Sequence, residues 1–126
     1  MRLLYVDDDR INTLLFEQAC RFAPGLEVAS AGSGDEAVAL AGEFRPEVLV
    51  IDLHLPDTSG YALLPALRSA AQLPDAAPAF LCSAEDARDL AGPAREAGFQ
   101  GCWTKPVDLR KMLADLAAHG HRPEDA

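Results

Sequence analysis

No apolar run in this 126-residue chain approaches the roughly 20 residues that a membrane-spanning helix requires, so no such helix is expected in it. The N-terminus leads straight into a strand-like segment with no signal-peptide pattern, so a cytoplasmic location is expected. Basic residues are also short: 11 Lys and Arg stand against 20 Asp and Glu, a formal charge of -9. That balance opposes nonspecific attraction to nucleic acid or anionic lipid, so neither is expected as a partner. It suits a bound cation instead. Cys20, Cys82 and Cys102 are odd in number, widely spaced and set among apolar neighbours, which reads as reduced core cysteines and excludes a disulfide scaffold. His54, His119 and His121 lack the ligand spacing of a zinc site, and the last two fall in a tail containing Gly and Pro. Nothing in the length calls for a linker. One domain over residues 1–119 with a polar tail over 120–126 is expected, large enough to bury about two thirds of its unfolded surface. With 49% apolar and 25% charged residues, disorder is excluded as well.

What the chain does have is a series of short apolar runs, most of which stop on a polar side chain. Val48-Leu49-Val50-Ile51 reads as a strand buried on both faces, and it ends on Asp52. Ligands bind at the carboxyl ends of strands in open α/β sheets, so Asp52 is expected to face a crevice with its charge at least partly solvated. Turn chemistry follows in Pro56-Asp57-Thr58-Ser59-Gly60. Leu3-Leu4-Tyr5-Val6 repeats the pattern and delivers Asp7-Asp8-Asp9. Ala79-Phe80-Leu81-Cys82, reached by a loop containing Pro74 and Pro78, ends at Ser83, and Phe99 to Thr104 delivers Lys105-Pro106. Leu26 to Ala31 alternates apolar and polar residues, which predicts a strand near the sheet edge.

Helical periodicity separates these runs. Asn12 through Phe22 predicts a helix with Ile11, Leu14, Leu15 and Phe22 on one apolar face. Ser33 and Glu36 have capping-box spacing ahead of Ala37, Leu40, Ala41 and Phe44. Ser59 caps a helix carrying Leu63, Leu64 and Leu67, in which Pro65 predicts a late start or a bend. Ser83 and Asp86 have a weaker capping-box spacing, and Gly92-Pro93 predicts a shortened or kinked helix after them. Asp108 caps a last helix with Leu109, Met112, Leu113 and Leu116 on its apolar face. Five strands alternating with five helices through right-handed crossovers imply a parallel sheet covered on both faces. Asp7, Asp8, Asp52, Ser83 and Lys105 then meet at one edge.

Such a cluster has a physical requirement. Two carboxylates about 4 Å apart repel by about 4 kcal/mol at an effective dielectric of 20, and a third adds to this. Lys105 alone cannot neutralise three acids. Hard oxygen donors without nitrogen or sulfur favour magnesium or a similar divalent ion. An ionised Asp52 beside a metal and a lysine suits nucleophilic attack on phosphorus, with the cations stabilising charge on the phosphoryl oxygens.

Four separated motifs in order, Val6-Asp7-Asp8-Asp9, Asp52 through Gly60, Ser83-Ala84 and Lys105-Pro106, resemble the receiver domain of two-component response regulators. The resemblance covers residues 2–118 and includes the single-domain chemotaxis type. It implies a flavodoxin-like doubly wound (βα)5 sandwich with strand order 2-1-3-4-5. It implies Asp52 as phosphoacceptor, Asp8 and Asp52 as direct magnesium ligands, Asp7 acting largely through water, and the main-chain carbonyl of His54 as a further ligand. Ser83 takes the switch hydroxyl position, Lys105 pairs with the phosphoryl group, and the peptide before Pro106 is cis. His54 and Glu85 match two variable positions that influence phosphoryl lifetime. Cys102 stands where the family often has an aromatic residue, and Trp103 faces the other way. The implied partners are a sensor histidine kinase or histidine phosphotransfer protein and a downstream protein target, with a phosphorylation-dependent dimer among the outputs. No output module follows residue 118, so a single-domain regulator and a fragment of a hybrid protein both fit. Two other classes compete: a metal-dependent phosphohydrolase, which expects a second acid where His54 stands, and a docking domain that keeps the fold without the switch. An enzymatic activity beyond self-phosphorylation and dephosphorylation is not expected.

Overall fold

The computed structural model describes residues 1–73 and 77–118; the expectations for Pro74, His119, His121 and the tail lie outside the described residues. Five parallel strands, β1 (Arg2–Val6), β2 (Glu27–Ala31), β3 (Val48–Asp52), β4 (Ala79–Ser83) and β5 (Gly101–Thr104), form one sheet in the order β2-β1-β3-β4-β5. Five helices, α1 (Arg10–Cys20), α2 (Gly34–Phe44), α3 (Gly60–Ala71), α4 (Ala87–Ala97) and α5 (Leu109–Ala118), fill the crossovers. This is the doubly wound sheet that the alternating runs predict. β1 lies between β2 and β3, in register from Leu3 opposite Val48 to Val6 opposite Ile51. The chain reverses direction of winding there, so β1 and β3 open a crevice at their carboxyl ends.

Strand alternation assigns side chains to two cores. Leu4, Val6, Leu49, Ile51 and Leu81 meet residues of α2, α3 and α4. Leu3, Tyr5, Val50, Phe80, Cys82 and Trp103 meet Phe16 and Cys20 of α1 and Met112 and Leu116 of α5. Cys102 and Trp103 fall on opposite faces, as alternation demands. All three cysteines are free and buried.

The expected apolar face of α1 is wrong. Ile11, Leu14, Leu15 and Phe22 are 47–79% exposed, whereas Phe16 and Cys20 are the buried positions. The helix begins earlier than predicted because the Asp9 carboxylate accepts from the Ile11 and Asn12 N–H groups and caps it. Phe16 and Cys20, with Ala23 just beyond the helix, pack inward, and the aliphatic stripe faces solvent. Ser83 does not form the predicted cap of α4 either: Asp86 is the N-cap, accepting from the Arg88 N–H. Neither proline shortens its helix. Pro65 and Pro93 lie inside α3 and α4, which run 12 and 11 residues, with both rings on exposed faces. β5 starts at Gly101 rather than Phe99, whose ring is instead packed against the aliphatic core.

Candidate functional site

Four of the five strands each hand one polar group to the crevice, and β2 at the sheet edge hands none. Asp7 follows β1, Asp52 ends β3, Ser83 ends β4, and Lys105 follows β5. Asp7 and Asp52 share the strand parity of Tyr5 and Val50, so both point toward the α1 and α5 side, where the Lys105 chain arrives. The Lys105 ammonium lies 3.0 Å from Asp7 Oδ2 and 3.2 Å from Asp52 Oδ2. One half-buried cation thus bridges two buried acids. Asp8 is exposed, yet one oxygen from each of Asp7, Asp8 and Asp52 lies within 4.8 Å of the others. The donors are all hard carboxylate oxygens, a set that fits magnesium and fits zinc poorly.

Asp52 is only 5% exposed, so the expected partial solvation of its charge does not hold. Burial raises its pKa above the ordinary value; Lys105 pulls it back, and Asp7 and Asp8 push it up again. Burial pulls Lys105 down, but its hydrogen bond to Asp7 and the charges of Asp52 and Asp7 outweigh that and raise it. The net charge of this cluster, three acids against one lysine, is what a divalent ion would offset.

Asp7 is held on both oxygens. Its Oδ2 accepts from the Tyr5 hydroxyl at 2.8 Å and from Lys105, and its Oδ1 accepts from the Asp9 N–H at 2.9 Å. Burial above all, then the neighbouring Cys82 and Asp7, drives the Tyr5 pKa far upward, so the phenol remains a donor. Ser83 is buried, and its Oγ accepts from the Glu85 N–H at 3.1 Å, fixing the first turn of the loop after β4. His54 turns its ring outward, and Nε2 lies 3.0 Å from Glu85 Oε1, linking the loops after β3 and β4. The Lys105-Pro106 peptide is cis.

The loop after β3 is fastened at two points. The Asp57 carboxylate accepts from the Gly34 and Asp35 N–H groups at 2.8 and 2.9 Å, placing a negative charge on the N-terminus of α2. At its end, Gly60 packs so closely that a Cβ there would lie 2.7 Å from the Asp52 carbonyl oxygen. Any side chain would push the loop off the strand that carries the acid. An open groove of about 310 Å³ beside Asp7 and Asp8, bounded by Arg10, Thr13 and Glu36, leads to the cluster. Neither Tyr5 nor Asp57 is among the expected site residues. Tyr5 was legible from its position two residues before Asp7 on the same strand face; Asp57 pairs with a helix 22 residues away and was not.

The model of the response regulator receiver domain matches residues 3–117. The chain belongs to that family. As a receiver domain it is 33% identical over 117 residues to the transcriptional regulatory protein PrrA of Mycobacterium tuberculosis, a match covering 93% of this chain and 48% of PrrA. It is also 33% identical over 134 residues to the virulence sensor protein BvgS of Bordetella bronchiseptica, covering 98% of this chain and 10% of BvgS. The receiver domain therefore spans about half the length of the one relative and a tenth of the other. Among solved structures, the chemotaxis protein CheY4 of Vibrio cholerae superposes with a TM-score of 0.80 at 26% identity, covering 93% of this chain and 96% of that one. Among the described residues no helix is long and apolar enough to cross a membrane.

Proposed function

We propose that this receiver domain accepts a phosphoryl group on Asp52 from a phosphohistidine on a sensor histidine kinase or histidine phosphotransfer protein, and that the modification changes its affinity for a downstream protein. The observation that carries this is the Lys105 ammonium held between Asp7 and Asp52 inside a three-acid cluster. An Asp52 oxygen attacks phosphorus while the phosphorus–nitrogen bond breaks and its electron pair returns to the donor imidazole, leaving an acyl phosphate. Hydrolysis by water later releases phosphate and restores the carboxylate. Asp8, Asp52 and the His54 carbonyl would ligate Mg2+, with Asp7 acting through water; the ion supplies charge stabilisation for the phosphoryl oxygens. Lys105 pairs with one of those oxygens after leaving Asp52. Ser83 then moves from its bond with the Glu85 N–H toward the new phosphoryl group, drawing the loop after β4 with it.

The domain catalyses only its own modification and its reversal in this reading, and works in the cytoplasm beside its kinase. Ile11, Leu14 and Leu15 project to solvent from the helix that begins at the acidic edge, and such an apolar face suits the protein that presents the phosphohistidine. Intact-mass spectrometry after incubation with a small phosphodonor tests the reading. A gain of one phosphoryl group is expected with Mg2+ present, absent without it, and lost in Asp52→Asn. Asp8→Ala is expected to abolish the gain while remaining folded, because it removes a ligand and relieves repulsion. Retained phosphorylation in Asp8→Ala would refute the metal assignment, and retention in Asp52→Asn would refute the acceptor.

A further inference from the structure

Tyr5 lies on β1 two residues before Asp7, so the two side chains share one face of the sheet. Its ring is 1% exposed and stacks on Phe16 with centroids 4.0 Å apart and planes 7° from parallel. The hydroxyl sits at the end of that clamped ring and donates to Asp7 Oδ2. An ionised carboxylate offers about four acceptor positions. Three of those on Asp7 are taken by this chain: Tyr5 and Lys105 on Oδ2, and the Asp9 N–H on Oδ1. The open position is on Oδ1.

We infer that Tyr5 is a positioning residue for cation binding: its hydroxyl holds the Asp7 carboxylate so that Oδ2 stays with Lys105 and Oδ1 is presented to the divalent ion or its water. The inference rests on the magnesium reading above. Without the hydroxyl, Oδ2 retains one donor, carried by a lysine shared with Asp52, and only that lysine and the Asp9 N–H on Oδ1 still restrain the turn of the carboxylate about its Cβ–Cγ bond. The stacking on Phe16 survives that change, because Tyr5→Phe keeps the ring. Partners that orient a metal-binding carboxylate typically govern affinity by about tenfold or more.

Titration calorimetry of the full chain with Mg2+ separates the possibilities. Wild-type binding that disappears in Asp8→Asn is expected and supports the magnesium reading; no wild-type binding overturns that reading and this inference with it. Given wild-type binding, Tyr5→Phe is expected to raise the Mg2+ Kd about tenfold while the folded near-ultraviolet circular dichroism persists. Phe16→Leu loosens the ring but keeps the hydroxyl and its bond to Asp7, so it should lower the melting temperature and raise the Kd by less than Tyr5→Phe does. In an Asp7→Asn background, Tyr5→Phe should change the Kd by no more than about twofold, since the two residues act as one unit. An unchanged Kd in Tyr5→Phe, an equal loss in Phe16→Leu, or an undiminished effect in the Asp7→Asn background would each overturn it.

Discussion

On one face of the sheet, α2, α3 and α4 close over Leu4, Val6, Leu49, Ile51 and Leu81 chiefly with alanine and leucine, among them Ala37, Ala41, Leu64 and Leu67. On the other, α1 and α5 close over Tyr5, Phe80, Cys82 and Trp103 with Phe16, Cys20, Met112 and Leu116. The aromatic rings on this second face are stacked in pairs, Tyr5 on Phe16 and Phe80 on Trp103. Its two polar ring atoms are both spent on carboxylates: Tyr5 bonds Asp7, and Trp103 Nε1 donates to Asp115 Oδ2 at 2.6 Å. The aliphatic face fills volume, and the aromatic face also fixes charge. The reason is parity, since Asp7 and Asp52 project to the side on which the aromatic rings lie. The acidic pocket is thus an extension of one core and a neighbour of the other.

This contrast is broken most strongly by truncating the aliphatic side. Leu67 is fully buried between α3 and the sheet, so Leu67→Ala is expected to lower unfolding free energy by about 2–5 kcal/mol in urea titration. Mg2+ binding per folded molecule should survive, because Leu67 touches none of the carboxylates. A large loss of Mg2+ affinity in folded Leu67→Ala would mean that both faces support the pocket.

A smaller effect is expected from Trp103→Phe. It keeps an aromatic ring against Phe80 but removes the Nε1 donor, at a cost of about 1–2 kcal/mol for a bond to a charged group that Lys111 also contacts. Equilibrium denaturation measures it, and a change within error would show the Trp103–Asp115 bond to be incidental to the packing.

The smallest effect belongs to Asp57, which fastens the pocket loop from the aliphatic side at the surface. Its hydrogen bonds from the Gly34 and Asp35 N–H groups hold its pKa below the ordinary 3.8. A carboxyl with a depressed folded pKa contributes stability above its unfolded pKa and loses it as pH falls through the folded value. Asp57→Asn should therefore lower the melting temperature slightly at pH 7. The two proteins should converge as pH drops below 3.8, and a gap that persists or widens there would refute the assignment.

How far the sequence reaches differs by kind of residue. Strand-end acids and Lys105 were legible because a buried apolar run that stops on a charge places that charge at a sheet edge, whatever surrounds it. The apolar stripe of α1 misled for the opposite reason. Periodicity locates a hydrophobic face but does not say whether the core or solvent receives it, and here packing against the sheet took Phe16 and Cys20 and left that face outward. Pro65 and Pro93 misled because a proline on the solvent face of a helix held by tertiary packing gives up one hydrogen bond without ending the helix.

By itself, then, the chain determines the alternation of five strands and five helices, the edge at which the acids gather and the charge imbalance there, since these follow from local pattern and composition. Tertiary structure alone decided that Asp52 is desolvated, that Lys105 sits between two particular oxygens, that Tyr5 holds one of them and that Asp57 holds α2. Those facts are distances between residues as much as 98 positions apart, and only the closed fold brings them within reach of a hydrogen bond.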